Sequence, residues 1–236
     1  MERGARVTFL VPDKLKRILG DLPVRTISAI TDSDRFDVHC ALMSLPHLLD
    51  VTPADSPLSI PYLAVDAERV GPWKRRIGAH GFRIGICWQG AAWQGGASIR
   101  GRAIPLSEFR SLSAIEGVRL ISLQKGDGVE QLATTGVSIE TLGDDFDAGL
   151  DAFVDTIAAM EHLDLIVTCD TSIAHVAGAH GRPTWIALQH VPEWRWGLEG
   201  EATPWYPSAR LFRQRVRGDW RGVFAEMAAE LRTLVR

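Results

Sequence analysis

The sequence predicts an α/β protein in which helices cover parallel sheets. Short apolar runs that suit buried strands alternate along the chain with segments of helical spacing. The alternation is clearest after residue 81, where its regular rhythm favours a doubly wound sheet. The chain has 236 residues, 46% hydrophobic and 23% charged, which suffices for one large or two small domains with a sizeable core.

We place a domain boundary near residue 80, giving an N-terminal block of residues 1–80 and a C-terminal block of residues 81–236. Prolines between Pro46 and Pro61 mark an irregular connection within the first block. The elements predicted there are strands at 7–11, 26–30 and 36–42 and helices at 13–21 and 66–80. Those predicted in the second block are strands at 82–88, 118–123, 137–141, 165–169 and up to 188, and helices at 105–115, 128–134, 150–162, from 170 and from 219.

Charge and hydropathy exclude two classes of partner. The net charge is −3, and the longest basic run is the short cluster Lys74, Arg75 and Arg76, so the sequence predicts no nucleic-acid surface. No stretch approaches the ~20 apolar residues of a membrane helix, and the N-terminus lacks the apolar core of a signal peptide. We therefore expect a protein without an integral membrane segment.

The three cysteines favour a reducing compartment. Cys40, Cys87 and Cys169 lie far apart in apolar, strand-like runs, and their odd number leaves one unpaired in any disulfide scheme. We expect all three to be reduced, buried thiols in a cytoplasmic protein.

The segment 164–188 is the most informative part of the chain. A short apolar strand is followed at once by Asp170, Thr171 and Ser172, where a helix must begin. The unpaired N–H groups and dipole of a helix start favour a phosphate or carboxylate, although these three residue types are also ordinary helix caps. His175 lies three residues beyond Ser172 on the same helical face, where it would contact a bound phosphate or serve as a core histidine.

Two further loops should reach the same edge, because parallel sheets bind ligands at the carboxyl ends of their strands. Gln89 and Gly90 follow the strand at 82–88, and Gln124 and Lys125 follow the strand at 118–123. Gly90 would allow a ligand close to the backbone, and Lys125 could place a positive charge near a phosphate. The alternatives are a glycine that serves only the turn and a solvated lysine.

Several segments together resemble family 9 glycosyltransferases, the heptosyltransferase-like enzymes with two facing Rossmann-like domains known as the GT-B fold. More narrowly, they resemble the glycosyltransferase region that follows tetratricopeptide repeats in many bacterial proteins. The segments are FDVHCALMSLP at 36–46, ISLQKG at 121–126, DTSIAHVAGAHGRP at 170–183, PEWRWGLEGEATPWYP at 192–207 and SARLFRQ at 208–214. The resemblance implies a GT-B-like protein whose N-terminal, acceptor-side domain is truncated and whose C-terminal domain binds the donor.

The resemblance also implies a function and a set of site residues. It implies transfer of a sugar, with inversion, from a nucleotide-diphosphate sugar to a hydroxyl of an unknown glycan, lipid or protein acceptor. No cofactor beyond this donor substrate and no metal is implied. The implied donor-binding residues are Gln89, Gly90, Gln124, Lys125, Asp170, Thr171, Ser172 and His175.

The chain departs from that family in two respects. The family's first strand ends in a Gly-Asp loop whose Asp is the general base, and the chain opens at a segment resembling the second strand. Asp37 and His39 remain as acid–base candidates, with a structural role at a strand end as the alternative. The loop after Gly90 also lacks a phosphate-binding lysine that relatives often carry, for which Arg100 or Arg102 would substitute.

These departures leave a second function open. The chain would then be a non-catalytic nucleotide-sugar-binding or interaction module, a degenerate or fragmentary transferase without its base loop. The aromatic-rich loop 192–207 is equally open, since its Trp194, Trp196, Trp205 and Tyr206 would either wall a sugar or base or pin the loop to the sheet.

Overall fold

A computed structural model describes residues 4–20, 22–52, 60–91 and 101–235. The N-terminal unit, residues 4–52, contains β1 (Thr8–Leu10) and β2 (Arg25–Ile27), which pair in parallel as a two-stranded sheet. A short helix, α1 (Leu45–Leu48), ends the unit, and α2 (Ala67–Ile77) follows after the connection.

The rest of the chain builds one parallel six-stranded sheet in the order β5-β4-β3-β6-β7-β8. Its strands are β3 (Phe82–Cys87), β4 (Val118–Ser122), β5 (Glu140–Thr141), β6 (Leu165–Cys169), β7 (Thr184–Leu188) and β8 (Ala209–Arg213). Its helices are α3 (Arg110–Ser113), α4 (Val154–Met160), α5 (Ser172–Ala179) and α6 (Trp220–Leu234). The predicted α/β architecture on a parallel sheet is confirmed.

Two apolar layers enclose this sheet. Every residue of β6 and β7 is buried, as expected for central strands covered on both faces. Ile166 packs in the layer formed with α2, α4 and α5, whereas its neighbours Leu165 and Val167 pack in the layer formed with α3 and α6. In the second layer Phe109 and Phe224 meet edge to face with ring centroids 4.7 Å apart.

The N-terminal unit differs from the prediction. The strand predicted at 36–42 is wrong, because no strand forms there and Val38 is 86% exposed. The helix predicted at 13–21 is reduced to a 3₁₀ turn at Asp13–Leu15. Val11 is the single buried side chain among described residues 4–20 and 22–52, so little apolar burial drives regular structure in this unit.

Other corrections are smaller. The helix predicted at 128–134 is a 3₁₀ helix, Val129–Ala133, and the helix predicted at 105–115 is a 3₁₀ turn followed by α3. No strand was predicted for the last position of the sheet, where β8 pairs with β7. Cys87 and Cys169 are buried free thiols as expected, but Cys40 is exposed.

Contacts to the helices and connecting segments that cover the larger sheet hold the N-terminal unit in place. Arg17 forms ion pairs with Asp66 and Asp151, and Ala152 N donates to Lys14 O at 2.8 Å. Ile18 and Leu19 pack, partly buried, against the layer of α2, α4 and α5. In the described parts of the chain no helix is both long enough and apolar enough to cross a membrane.

The uneven burial predicts uneven local stability. Hydrogen exchange followed by mass spectrometry should show β1 and β2 exchanging through low-energy local openings, while β6 and β7 exchange only near global unfolding. The free energies of opening should differ by several kcal/mol, since the global value of a domain is about 5–15 kcal/mol. Equal protection in the two sheets would contradict this expectation.

Candidate functional site

The candidate site lies where the carboxyl ends of β3 and β6 meet. β3 lies between β4 and β6, and the chain goes from β3 to β4 but from β6 to β7, which lie on opposite sides of the β3–β6 pair. Such a topological switch point opens a crevice that binds ligands in parallel α/β sheets. A Cβ built on Gly90 would lie 3.4 Å from Thr171 Cγ2 and 3.0 Å from a guanidinium nitrogen of Arg102. The three residues therefore meet at one point of this crevice.

Thr171 caps α5. Its Oγ1 accepts a hydrogen bond from Ile173 N at 3.2 Å and lies 3.3 Å from Thr168 Oγ1, so the hydroxyl is committed to the helix start. Thr171 therefore has the helix-capping role that the sequence offered as the alternative to ligand binding. Ser172, one residue further, is exposed in the first turn.

Asp170 precedes the cap and is buried, with 7% of its surface exposed. Within the described ranges no group donates a hydrogen bond to its carboxylate. A carboxylate only accepts hydrogen bonds, and the oxygens of Asp170 are not among the fully buried side-chain atoms left without a partner, so they are open to a donor. Asp170 is therefore suited to accept hydrogen bonds from hydroxyl or N–H groups of a ligand.

His175 belongs to an aromatic cluster, defined here as His175, Trp196 and Tyr206. Its Nδ1 lies 3.0 Å from the Tyr206 hydroxyl, and its ring stacks on Trp196 with centroids 5.2 Å apart and planes 18° from parallel. Burial lowers the pKa of His175 from its usual value, against the opposing charge of Asp170. The side chain is thus a neutral hydrogen-bonding group near pH 7, not a cation.

The aromatic cluster also pins its loop to the sheet. Trp196 and Tyr206 are 3% and 7% exposed, and a Cβ on Gly178 would come within 2.3 Å of the Tyr206 ring. Trp205 Nε1 donates to Arg195 O at 2.8 Å, whereas Trp194 is 57% exposed beneath the Arg195 guanidinium. The packing role fits Trp196 and Tyr206, whereas Trp205 is half-buried and Trp194 is exposed.

Gln124 clamps two of the loops together. Its Oε1 accepts hydrogen bonds from the backbone N–H groups of Trp88 and Gln89, both at 3.0 Å. Its Nε2 donates to Gln89 O at 2.7 Å and to Asp127 O at 2.8 Å. Burial raises the pKa of the Cys87 thiol to about 11, so this thiol stays protonated and also donates to Oε1 at 3.3 Å. Gln124 thus positions the backbone that leads into Gly90.

Gln89 and Lys125 turn toward other neighbours. Gln89 Oε1 accepts from Gln131 Nε2 at 3.3 Å, on the side of the loop after β4. The Lys125 ammonium donates to the carbonyl of Phe146 and lies 5.9 Å from the centroid of that ring. In the described part of the chain no hydrogen bond or ion pair joins Lys125 to the crevice.

Arg102 is one of the two arginines that the sequence offers in place of a phosphate-binding lysine, and it lies at the crevice. The other, Arg100, lies outside the described residues. Asp37 and His39 are both exposed, and no hydrogen bond among the described residues links either of them to Gly90 or Thr171. Within the described ranges no group of three or more His, Cys, Asp or Glu side chains is arranged to hold a metal ion.

Comparisons with known proteins show the fold. The sequence matches no protein-family model and no curated protein. Among solved structures, the chain is similar to a glycosyl transferase family 9 protein from Veillonella parvula, with a TM-score of 0.56 and 15% identity over 89% of this chain and 63% of that one. It is also similar to ADP-heptose LPS heptosyltransferase II of E. coli, with a TM-score of 0.50 and 19% identity over 76% of this chain and 55% of that one.

These similarities establish a GT-B-like α/β fold. The chain spans 55% to 63% of the length of those two structures. The boundary near residue 80 and the tetratricopeptide context stay predictions.

Replacement of Gln124 should loosen the loop that carries Gly90. Gln124→Met keeps the side-chain volume but leaves the buried N–H of Trp88 without its acceptor, which should lower the free energy of unfolding by about 2 kcal/mol or more. Gln189→Met is the control, because Gln189 makes no hydrogen bond through its side chain within the described ranges. Urea denaturation measures both, and similar losses for the two variants would contradict the clamp.

His175 should make stability depend on pH. Its folded pKa lies below its unfolded value near 6.5, so the unfolded chain binds the proton more readily and stability falls as pH drops below about 6.5. His175→Gln should reduce the loss of unfolding free energy between pH 7.5 and 5.5, whereas His47→Gln, at an exposed position on α1, should not. An unchanged pH dependence in His175→Gln would contradict this assignment.

Proposed function

We propose that the chain binds a nucleotide-diphosphate sugar in the crevice between the ends of β3 and β6. The convergence of Gly90, Arg102 and Thr171 at the topological switch point is the observation that carries this proposal. The GT-B-like fold of the two glycosyltransferase structures supports it.

The helix start supplies the electrostatics that such a donor requires. The N-terminus of α5 carries a partial positive charge and faces the crevice beside Gly90, where it would stabilise the diphosphate. The buried carboxylate of Asp170 is suited to accept hydrogen bonds from sugar hydroxyls. His175 would contribute a neutral hydrogen bond or ring contact. Ser172 is exposed in the same turn and would bind through its hydroxyl and backbone.

As an enzyme, the protein would be an inverting glycosyltransferase. An acceptor hydroxyl would attack the anomeric carbon from the face opposite the diphosphate and lose its proton to a general base, while the bond between that carbon and the diphosphate breaks. The positive helix end would stabilise the charge that develops on the departing diphosphate. The acceptor would be a glycan, a lipid or a protein, and the reaction would take place in the cytoplasm without an obligatory metal.

A non-catalytic nucleotide-sugar-binding module is the second candidate. The observation that favours it is the N-terminal unit, which offers two strands among its described residues and leaves Asp37 and His39 exposed, without a hydrogen bond to the crevice. Such a module would lack a general base to take the proton from the acceptor hydroxyl.

Calorimetric titration with ADP-, GDP- and UDP-sugars tests donor binding. One nucleotide sugar should bind saturably, and Asp170→Ala or His175→Ala should weaken it by more than about 1 kcal/mol, the scale of a lost hydrogen bond. Asp144→Ala and His47→Ala, at exposed positions away from the crevice, are the matched controls. Failure of the folded protein to bind any of the three would refute the proposed function.

Release of nucleoside diphosphate then separates the two candidates. Turnover of the bound donor with water or an added acceptor hydroxyl supports the transferase, and binding without turnover supports the module.

A further inference from the structure

We propose that Arg213 is a positioning residue, which fixes the loop 196–200 and, through Trp196, the ring of His175. Arg213 is the last residue of β8, two strands away from β6, so it acts on the site from outside the crevice. The inference rests on the proposed function in one respect, namely that His175 belongs to the donor site.

The guanidinium of Arg213 binds backbone carbonyls of one loop. Its Nε donates to Gly200 O at 2.7 Å, and its Nη1 donates to Gly197 O at 2.9 Å. Its Nη2 donates to Trp196 O at 2.6 Å and to Glu199 O at 3.1 Å. Four carbonyls from five consecutive residues therefore converge on one planar group, which holds the loop 196–200 in place.

The backbone on both sides of this contact is shaped for it. Gly197 and Gly200 have φ angles of 61° and 80°, in the left-handed region that favours glycine, and these two turns curl the loop around the guanidinium. Arg213 is fixed in the sheet, where it pairs with Leu188 at the end of β7. The loop is therefore anchored to a rigid element of the fold.

The loop carbonyls take the place of an acidic partner. No ion pair within the described ranges involves Arg213, whereas Arg210 on the same strand pairs with Glu201 and Glu230. Burial lowers the pKa of Arg213 from its usual value. A partly buried guanidinium requires acceptors for its donors, and the loop supplies them.

Trp196 transmits the position of the loop to His175. The indole of Trp196 is 3% exposed and stacks on the imidazole, with centroids 5.2 Å apart and planes 18° from parallel. Tyr206 holds the other components, since its hydroxyl lies 3.0 Å from His175 Nδ1 and its ring centroid lies 6.3 Å from that of Trp196. On its upstream side Trp196 N donates to Glu193 O at 3.0 Å, and on its downstream side Arg213 holds the chain.

Loss of these four hydrogen bonds should uncover the His175 ring. The loop would open more readily, and water would then reach the face that the indole of Trp196 covers. Burial is the main cause of the lowered pKa of His175, and the charge of Arg195 lowers it further, while Asp170 and Glu193 oppose the shift. Exposure would therefore raise the pKa of His175 toward its usual value and remove the fixed orientation of a neutral imidazole.

Hydrogen exchange and NMR titration of variants test the inference without any nucleotide sugar. Arg213→Met removes every donor and keeps an unbranched stem, so amides of the loop 196–200 should exchange about tenfold or more faster, while those of β6 keep their native rates. The pKa of His175, followed through its ring resonances, should rise toward 6.5 in the same variant. Arg213→Lys should give intermediate values, because an ammonium keeps the charge but has fewer donors than a guanidinium.

Arg217→Met is the matched control. Arg217 is exposed in the loop after β8, and within the described ranges no hydrogen bond or ion pair involves its side chain. Thermal unfolding shows whether each variant is folded, and Arg213→Lys decides the question if Arg213→Met is not. In a folded Arg213 variant, native exchange of the loop or a native pKa of His175 would overturn the proposal.

Calorimetric titration then connects the result to the proposed function. The nucleotide sugar that binds the native protein should bind Arg213→Met about tenfold or more weakly and Arg217→Met with native affinity. Native-like donor binding by folded Arg213→Met would overturn the positioning role and leave the proposed function standing. If the native protein binds no nucleotide sugar, the proposed function fails, and exchange and titration still decide whether Arg213 positions His175.

Discussion

The parallel pairing of β3 with β6 is the constraint on which the rest of the site depends. Ile84 pairs with Leu165 and Cys87 with Thr168, so the two strands end within one residue of each other. Gly85 of β3 lies under side chains that cover the sheet. A Cβ at this position would come within 2.6 Å of Leu163 Cδ1, so the packing here requires glycine. The close packing fixes the register, and the register brings the loop at Gly90 to the start of α5. Ligand chemistry at this edge therefore follows from strand pairing in the core.

Internal hydrogen bonds decide which polar groups remain for a ligand. Gln124 uses its amide to join the loops after β3 and β4, and Thr171 uses its hydroxyl to cap α5. His175 is held by Tyr206 and Trp196. These groups form the frame of the crevice, since a donor or acceptor already satisfied in a buried network gains little by changing partners. Of the polar side-chain atoms of Gln124, Thr171 and His175, only His175 Nε2 has no such partner within the described ranges. The contacts of the predicted residues thus distinguish side chains that position the loops from side chains that remain available to a substrate.

The sequence predicted the sheet better than it predicted the site. Apolar runs such as 165–169 specify buried strands directly, because a strand covered on both faces must be continuously apolar. The strand expected at 36–42 failed for the converse reason, since no neighbouring strand pairs with it among the described residues and the alternation of its side chains had nothing to bury. The roles of Gln124 and Lys125 could not be predicted from their positions in the sequence, because both depend on which loop lies opposite them in the fold. Arg102 could be predicted only as one of two arginines that could replace the phosphate-binding lysine of the relatives, and the sequence did not distinguish it from Arg100.

The two halves of the protein differ in how far they can act alone. The six-stranded sheet has buried central strands, and α5 and α6 carry side-chain caps, Asp219 accepting from Gly222 N at 2.9 Å at the start of α6. The N-terminal unit exposes Ile30, Val38 and Leu48 by 61% or more and depends on contacts such as those of Arg17. A two-stranded sheet is marginally stable in water, so an acceptor site built on it would be poorly organised by itself. The proposed donor binding therefore depends on the larger sheet, whereas the proposed transfer would also depend on how the N-terminal unit is organised.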